Sequence, residues 1–443
     1  MSDLLYIGAS GVRTYQSALG TTSENIANVG TAGYARRAVQ VQEIPATKGL
    51  RMSGNGSLAT ALTRSANEFR NTDVRTSGSD LARTEAGIVW LDRVEQVLTG
   101  NELGAQLTAF FNTAQGVAAD PASVAPRGVM IESAATLANA FTATGRALDT
   151  AIGDLSLTGR DAARDLNDLA QQLYQVNQGL SRADQGSAMQ MSMLDQRDRL
   201  LESMSALVDV DVTFDAQSRA VVRTGGAAGP VLVDAAGASQ VSFAMSATGA
   251  AQFQLHRGAS ATVIPAQGGA FAGITEGAQR LADARDALND LATRFVDGVN
   301  AVQAGGRDLD GAAGTPMFAA GDPPTEVRLV LTDPRGIAAA APGEGTRGNS
   351  NLQNLATLRT DGKFEAGLSD TITTNAAALA ARKNVAAAQN SIRDAAVAAR
   401  DSVTGVDLDE SAVELIRFQQ AYQASSRIIQ VARETLQNIL DIR

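Results

Sequence analysis

Apolar residues recur every seven places at both ends of this chain. Near the start, Leu5, Val12, Leu19 and Ile26 form one such series, with Tyr15 and Thr22 three places behind two of its members. The spacing predicts a helix over residues 3–28. Ser2 or Asp3 supplies its N-cap, and Asn28, Gly30 and Gly33 end it because Asn and Gly tolerate positive φ. Near the finish, Leu408, Leu415, Tyr422, Ile429 and Leu436 repeat the interval. Three places on from these stand Ser411, Phe418, Ser425, Ala432 and Ile439, so the last helix carries a heptad with large residues on one seam position and mixed residues on the other. Asp407, followed three places later by Glu410, reads as a capping-box start.

Between these ends the period changes twice. ARRAVQVQEI alternates as a short strand ending at Pro45, and a Gly/Ser run from Ser53 to Ser57 reads as a loop. Helical spacing then fits 60–99, 103–118, 121–153 and 158–207, with breaks at Gly100, Gly104, Pro121 and Gly153. From Val208 apolar and polar residues alternate among Gly-rich turns, which predicts a β-rich unit over 208–274. Helix returns over 276–303. An irregular Gly/Pro-rich stretch follows to about 350, with one strand expected at Glu326–Leu331, and a long Ala-rich helix fits 366–402 before Gly405 breaks it. The expected class is mainly α with a small β-rich insert. Its organisation is nested: 1–60 with 404–443 as a terminal helical region, 61–207 with 275–403 as a helical middle, and 208–274 as an outer β-rich domain.

Composition narrows the chemistry. With 443 residues, several domains are expected. Lys plus Arg total 37 against 47 Asp plus Glu, a net charge of -10 that argues against nucleic acid or an anionic membrane as partner. Aromatics are only 4%, so the cores are expected to be aliphatic and small-residue. The absence of cysteine removes disulfides, thiolate metal sites and thiol nucleophiles, and a single histidine, His256, leaves no pair for a two-His metal site. No apolar run approaches a membrane span, and MSDLLYIGAS lacks the basic and apolar regions of a cleaved secretory signal.

The first helix carries Gly8, Gly11 and Gly20, each costing about 1 kcal/mol against Ala, so it is expected to be marginal alone. Gly8-Ala9-Ser10-Gly11 also makes a side-chain-poor patch where another backbone can approach. Leu4, Ile7, Ala18, Ile416, Ile428 and Val431 widen the apolar stripe beyond what one partner helix covers. Two readings follow: end helices that order when several subunits pack side by side, or amphipathic core helices of a monomer.

Individual residues favour plain structural roles. Asp308 and Asp310 in RDLDG lack the third ligand and distant Glu of a calcium loop and read as a turn. Asp407, Asp409 and Glu410 suit a helix N-terminus. Met189, Met191 and Met193 read as loose helix packing, and Arg36-Arg37 is too short for nucleic acid. Asn25 and Asn28 are expected to cap the first helix, and also to hold a turn where subunits stack. No catalytic, cofactor-binding or metal-binding residue is assigned.

Asn25-Ile26-Ala27-Asn28-Val29-Gly30-Thr31-Ala32-Gly33-Tyr34 closely resembles the signature of flagellar rod, hook and hook-associated proteins, though family members often have Pro at Ala32 and Ser at Ala35. Its signature positions here are Asn25, Asn28, Thr31, Gly33 and Tyr34. Residues 414–425, from Glu414 to Ser425, resemble the C-terminal motif of the same proteins. Leu194-Asp195-Gln196-Arg197-Asp198, residues 295–318 and residues 348–359 resemble the FlgK family of hook-associated proteins in particular. That resemblance implies a structural subunit of the junction ring between flagellar hook and filament, with a coiled-coil, D0-like region made by its two ends. It implies the hook protein, the next junction protein toward the filament, further copies of itself and a type III export chaperone as partners. It also implies an extracellular location, reached unfolded through the flagellar type III apparatus without signal cleavage. The alternatives are a hook or distal-rod subunit and, from other classes, a wall hydrolase carried in the insert or a surface adhesin.

Overall fold

The computed structural model describes residues 2–44, 56–246 and 248–441; Pro45, Ser53, Arg443 and the side chain of Ile439 lie outside the described residues. In chain order, α1 (Ser2–Ala27) leads through the signature turn to a hairpin of β1 (Arg37–Glu43) and β2 (Ser57–Arg64). Four helices follow: α2 (Glu68–Gly100), α3 (Leu103–Ala119), α4 (Val124–Leu180) and α5 (Ala188–Leu207). The insert holds β3 (Val210–Phe214), β4 (Ala220–Thr224), β5 (Val231–Val233), β6 (Gln240–Met245), β7 (Ala251–Arg257) and β8 (Ser260–Val263). The chain returns through α6 (Gly269–Gly305), a small pair β9 (Phe318–Ala320) and β10 (Val327–Leu329), then α7 (Ser350–Gly362), α8 (Phe364–Thr404) and α9 (Leu408–Asp441). The fold is mainly α with small sheets and long terminal helices.

Several local expectations give way. Residues 60–64 lie in β2, paired antiparallel with β1 so that Val39 faces Leu62, and α2 starts only after the Asn67 side chain accepts the Arg70 amide. Gly153 does not break α4, which runs 57 residues without interruption. The break comes instead at 181–187, where Gly186 takes φ +75° and the Ser187 hydroxyl caps α5 by accepting the Gln190 amide. Residues 269–274 are helical, not β-rich, and β9 and α7 occupy stretches expected to be irregular or unassigned.

The insert forms two antiparallel three-stranded sheets, ordered β3-β4-β5 and β6-β7-β8. Both pack on the long helices, so Val222, Leu232, Phe253 and Leu255 share one continuous apolar core with Leu166, Leu173 and Phe271. That core also corrects the aliphatic expectation. The few phenylalanines are concentrated, with Phe110, Phe111, Phe141, Phe295, Phe318 and Phe364 converging, several edge to face at centroid distances of 5.4–6.1 Å. None of its buried residues comes from α1, β1, β2 or α9.

A recurring polar device joins helices to strands. Asn167 on α4 donates its amide to the Val241 carbonyl and accepts the Val241 N–H, at 2.9 and 2.7 Å. Asn177 does the same for Ala220, and Asn300 on α6 for Phe318. A primary amide presents one donor and one acceptor like a neighbouring peptide, so it satisfies both backbone groups of a strand residue where no further strand pairs.

Candidate assembly site at the paired termini

The two end helices lie side by side and antiparallel: Gly8 meets Ile429, Tyr15 meets Phe418 at 6.4 Å between ring centroids, and Arg36 reaches Glu410 at 2.5 Å. They approach closely at Gly8 and Gly11. A Cβ at Gly8 would sit 2.7 Å from Ile429 Cγ1 and 3.2 Å from the Ser425 carbonyl, and one at Gly11 would sit 2.6 Å from Ser425 Oγ. Small or polar residues are the buried ones on both helices, among them Gly8, Gly11, Thr14, Ala18, Thr22 and Asn25 on α1, and Ser411, Ser425 and Ala432 on α9, with Gly8 and Gly11 set directly against Ser425. The flank of α1 is held by the hairpin, with the Thr14 hydroxyl donating to the Ser57 carbonyl and the Ser57 N–H donating to Ser10 Oγ.

Helices this close cannot place large side chains between their axes. Leu5, Val12, Leu19, Ile26, Leu415, Tyr422 and Ile429 are accordingly half-buried along the sides of the contact, while Leu408 and Leu436 are 51% and 43% exposed. Beyond them Leu4, Tyr6, Val413, Ile416, Ile428 and Val431 face outward, Val413 at 67% exposure.

The signature turn is built by side chains clamping backbone. Asn28 caps α1 as expected, donating its amide to the Glu24 carbonyl, and Thr31 Oγ1 donates back to Asn28 Oδ1. Asn25 does something else. At 1% exposure it reaches β1, donating to the Arg37 carbonyl at 2.8 Å and accepting the Arg37 N–H at 3.0 Å, the same amide device seen in α4 and α6. Its Oδ1 also accepts the Tyr34 hydroxyl at 2.9 Å. Burial pushes the Tyr34 phenol above its ordinary value against the pull of Arg37, which keeps the donating proton in place. Gly33 takes φ +72°, and a Cβ there would also strike the Arg199 side chain.

The hairpin meets α5 through charge. Arg37 pairs with Asp195 at 2.8 Å, Arg64 pairs with Asp195 at 2.7 Å and with Asp198 at 2.5 Å, and Arg197 donates twice to Asp198. Asp195 is almost wholly buried. Burial raises the Asp198 carboxyl, but Arg197 and Arg64 outweigh it and hold the group below the usual carboxylate range. LDQRD is legible in the sequence as a family segment, whereas this cluster is not. The available signal was two acids one turn apart on a helix, with arginines at the start of one strand and the end of another. On the other side of the joint Asp407 caps α9 by accepting the Asp409 and Glu410 amides; Glu410 does not close a capping box, its carboxylate taking Arg36 instead.

Elsewhere the candidate groups sit in ordinary contacts. Asp308 accepts the Asp310 and Ala312 amides while Asp310 pairs with Arg335, so a guanidinium stands against the RDLDG loop. His256 Nε2 lies 2.7 Å from Ser242 Oγ across β6 and β7. Met189 is exposed, whereas Met193 packs against Gly179. Among the described residues no group of three His, Asp or Glu is placed to hold a metal, and no helix is long and apolar enough to cross a membrane.

A helical structural protein whose two termini return to form one closely packed unit, closed by a signature turn, is the class this arrangement defines. Comparison with known proteins specifies it. Residues 91–318 match the flagellar hook-associated protein FlgK helical domain, and residues 401–442 match the C-terminal region of flagellar basal body rod FlgEFG proteins. Flagellar hook-associated protein 1 of Salmonella typhimurium is 26% identical over 408 residues, covering 85% of this chain and 73% of that one. Its counterpart in Bacillus subtilis is 22% identical over 488 residues, covering 96% and 95%. The solved flagellar hook junction protein FlgK of Burkholderia pseudomallei shares the fold, with TM-score 0.51 and 21% identity over 57% of this chain and 47% of that one. The chain belongs to the FlgK family of flagellar hook-associated proteins, structural components of the flagellum.

Proposed function

We propose that this chain is a non-enzymatic, self-assembling adaptor that forms the junction ring between flagellar hook and filament. The supporting observation is the outward apolar face of the paired termini. Leu4, Tyr6, Val413, Ile416 and Val431 are exposed on a helix pair whose own contact is already filled by Gly, Ser, Thr and Ala. Exposed apolar residues on two adjoining helices are what further copies of the same pair would cover. In this reading Leu5, Val12, Leu19, Ile26, Leu408, Leu415, Tyr422, Ile429 and Leu436 flank seams between subunits. Asn25, Asn28, Thr31, Gly33 and Tyr34 hold the turn on which neighbours stack. The terminal region, 1–60 with 404–443, carries assembly; the helical middle and the 208–274 insert form the outer body. One face of the ring engages hook subunits and the other the next junction protein. The chain reaches this place unfolded through the type III apparatus, its last helix accompanied by an export chaperone.

A hook or distal-rod subunit would share the ends. The match of residues 91–318 to the FlgK helical domain favours the junction. The test is co-sedimentation with isolated hooks, comparing the full chain with a version lacking residues 1–35 and 405–443. Saturable pelleting of the full chain alone supports the reading. Pelleting of neither version removes the hook as partner, and equal pelleting of both moves the contact to the outer body. Electron microscopy of the product separates a short zone from the long polymer of a hook subunit.

A further inference from the structure

The continuous apolar core stops before the terminal unit, and where the two meet a compact set of charges stands beside the bond from the Leu62 N–H to the Gly186 carbonyl. Two strands and one helix contribute: Arg37 from β1, Arg64 from β2, and Asp195, Arg197 and Asp198 from α5. Arg37 and Arg64 keep only about a tenth of their side chains exposed, at 10% and 9%. Around them Asn71 of α2 donates to Asp198 at 3.4 Å, and Arg37 also lies 4.9 Å from the Tyr34 ring centroid. Arg197 extends the set into the insert, donating to the Ser218 carbonyl at 2.6 Å and stacking 4.0 Å above the Phe214 ring. One short segment of α5 thus grips the terminal hairpin, the helical body and the β insert together.

Apolar surfaces tolerate sliding, whereas hydrogen-bonded guanidinium–carboxylate pairs, here Arg37 with Asp195 and Arg64 with Asp198, define both distance and direction. We propose that Asp195 and Asp198 are positioning residues that set the angle at which the terminal helix pair stands on the outer body. This rests on the junction reading, since in a ring that angle decides whether neighbouring bodies meet when the terminal pairs do. The pairs act by geometry more than by net stabilisation, because desolvating buried ions offsets much of their attraction.

The chain has no cysteine, so two introduced ones carry spin labels cleanly. Gln40→Cys on β1 and Gln196→Cys on α5 are both exposed and lie on opposite sides of the joint. Pulsed electron paramagnetic resonance should give one narrow distance distribution in the otherwise native chain. Asp195→Asn with Asp198→Asn, near-isosteric and uncharged, should widen it at least about twofold, because loss of a buried partner leaves the arginines uncompensated. Trp90 emission should stay native, showing an intact body. Should the double variant unfold the body, Arg64→Lys keeps the charge but loses the two-pronged geometry and should widen the distribution by itself. A distribution unchanged in a folded variant of either kind overturns the proposal. Sedimentation of the labelled parent with hooks is run alongside. Failure there sinks the junction reading, while the distance distribution still decides whether the charges fix the joint.

Discussion

Gly11 and Gly20 sit in the same helix, and the structure assigns them opposite responses to one added methyl group. At Gly20 a Cβ meets nothing within 4 Å. Gly20→Ala should therefore stabilise the terminal unit by about 0.5–1 kcal/mol, the difference in helix propensity and unfolded-chain entropy. At Gly11 the same methyl would lie 2.6 Å from Ser425 Oγ and 3.1 Å from Ser425 Cβ. Rotating the hydroxyl away breaks its 2.8 Å bond to the Ala421 carbonyl and leaves the Cβ overlap, so the helices must part. Overpacking of that kind costs about 1–3 kcal/mol, which equals or exceeds the propensity gain. Gly8→Ala presses on the same stretch of α9, so its effect should couple with that of Gly11→Ala instead of adding. The assay is amide hydrogen exchange followed over peptides from α1 and α9, with those from α3 and α6 as an internal reference. Gly20→Ala should slow exchange in α1, and Gly8→Ala with Gly11→Ala should hasten it in both end helices. If the Gly11 substitution protects α1 as well as the Gly20 substitution does, the close antiparallel contact is wrong.

Three further outcomes are expected. Leu415→Asp or Ile429→Asp should abolish pelleting with hooks while thermal unfolding of the outer body is unchanged, because both flank the pair and neither reaches the main core; intact pelleting would remove these residues from the seam. Asn25→Ala leaves the Tyr34 hydroxyl and both Arg37 backbone groups without a partner at a buried position, and should destabilise the turn by on the order of 3 kcal/mol, read as faster exchange across residues 25–37. Asp209 is raised above its ordinary value by burial and by the neighbouring Asp80 and Asp211. Its ionised form is disfavoured in the folded chain, so it detracts from stability at neutral pH, and the penalty fades as pH falls through the folded value toward the unfolded one. Asp209→Asn should accordingly raise the melting temperature at pH 7, with the gain shrinking as the pH approaches about 4, the ordinary carboxylate value; a loss at pH 7 would contradict the assignment.

Much of this architecture is legible along the chain because it is local. The seven-residue interval makes α1 and α9, Asp407 and Gly405 bound the gap before the last helix, and the alternation after Val208 announces strands. The segment from Asn25 to Tyr34, together with the one from Glu414 to Ser425, carries the family resemblance, since both are contiguous motifs. What the chain order does not encode is distance between remote elements. Periodicity marks Leu5, Val12 and Leu415 as the apolar face, yet the axial separation, which the tertiary structure decides, puts Gly11 and Ser425 in the middle and those residues at the sides. Gly153 looks like a break because glycine costs helix stability; α4 runs through it because flanking residues on both sides bury Leu148, Ala151 and Leu155 in the core. Asn25 looks like a cap because its partner at Arg37 is invisible until the turn folds back. The partners of Asp195 and Asp198 are invisible for the same reason: the arginines of the hairpin lie far upstream in the chain, and only folding brings them within 3 Å.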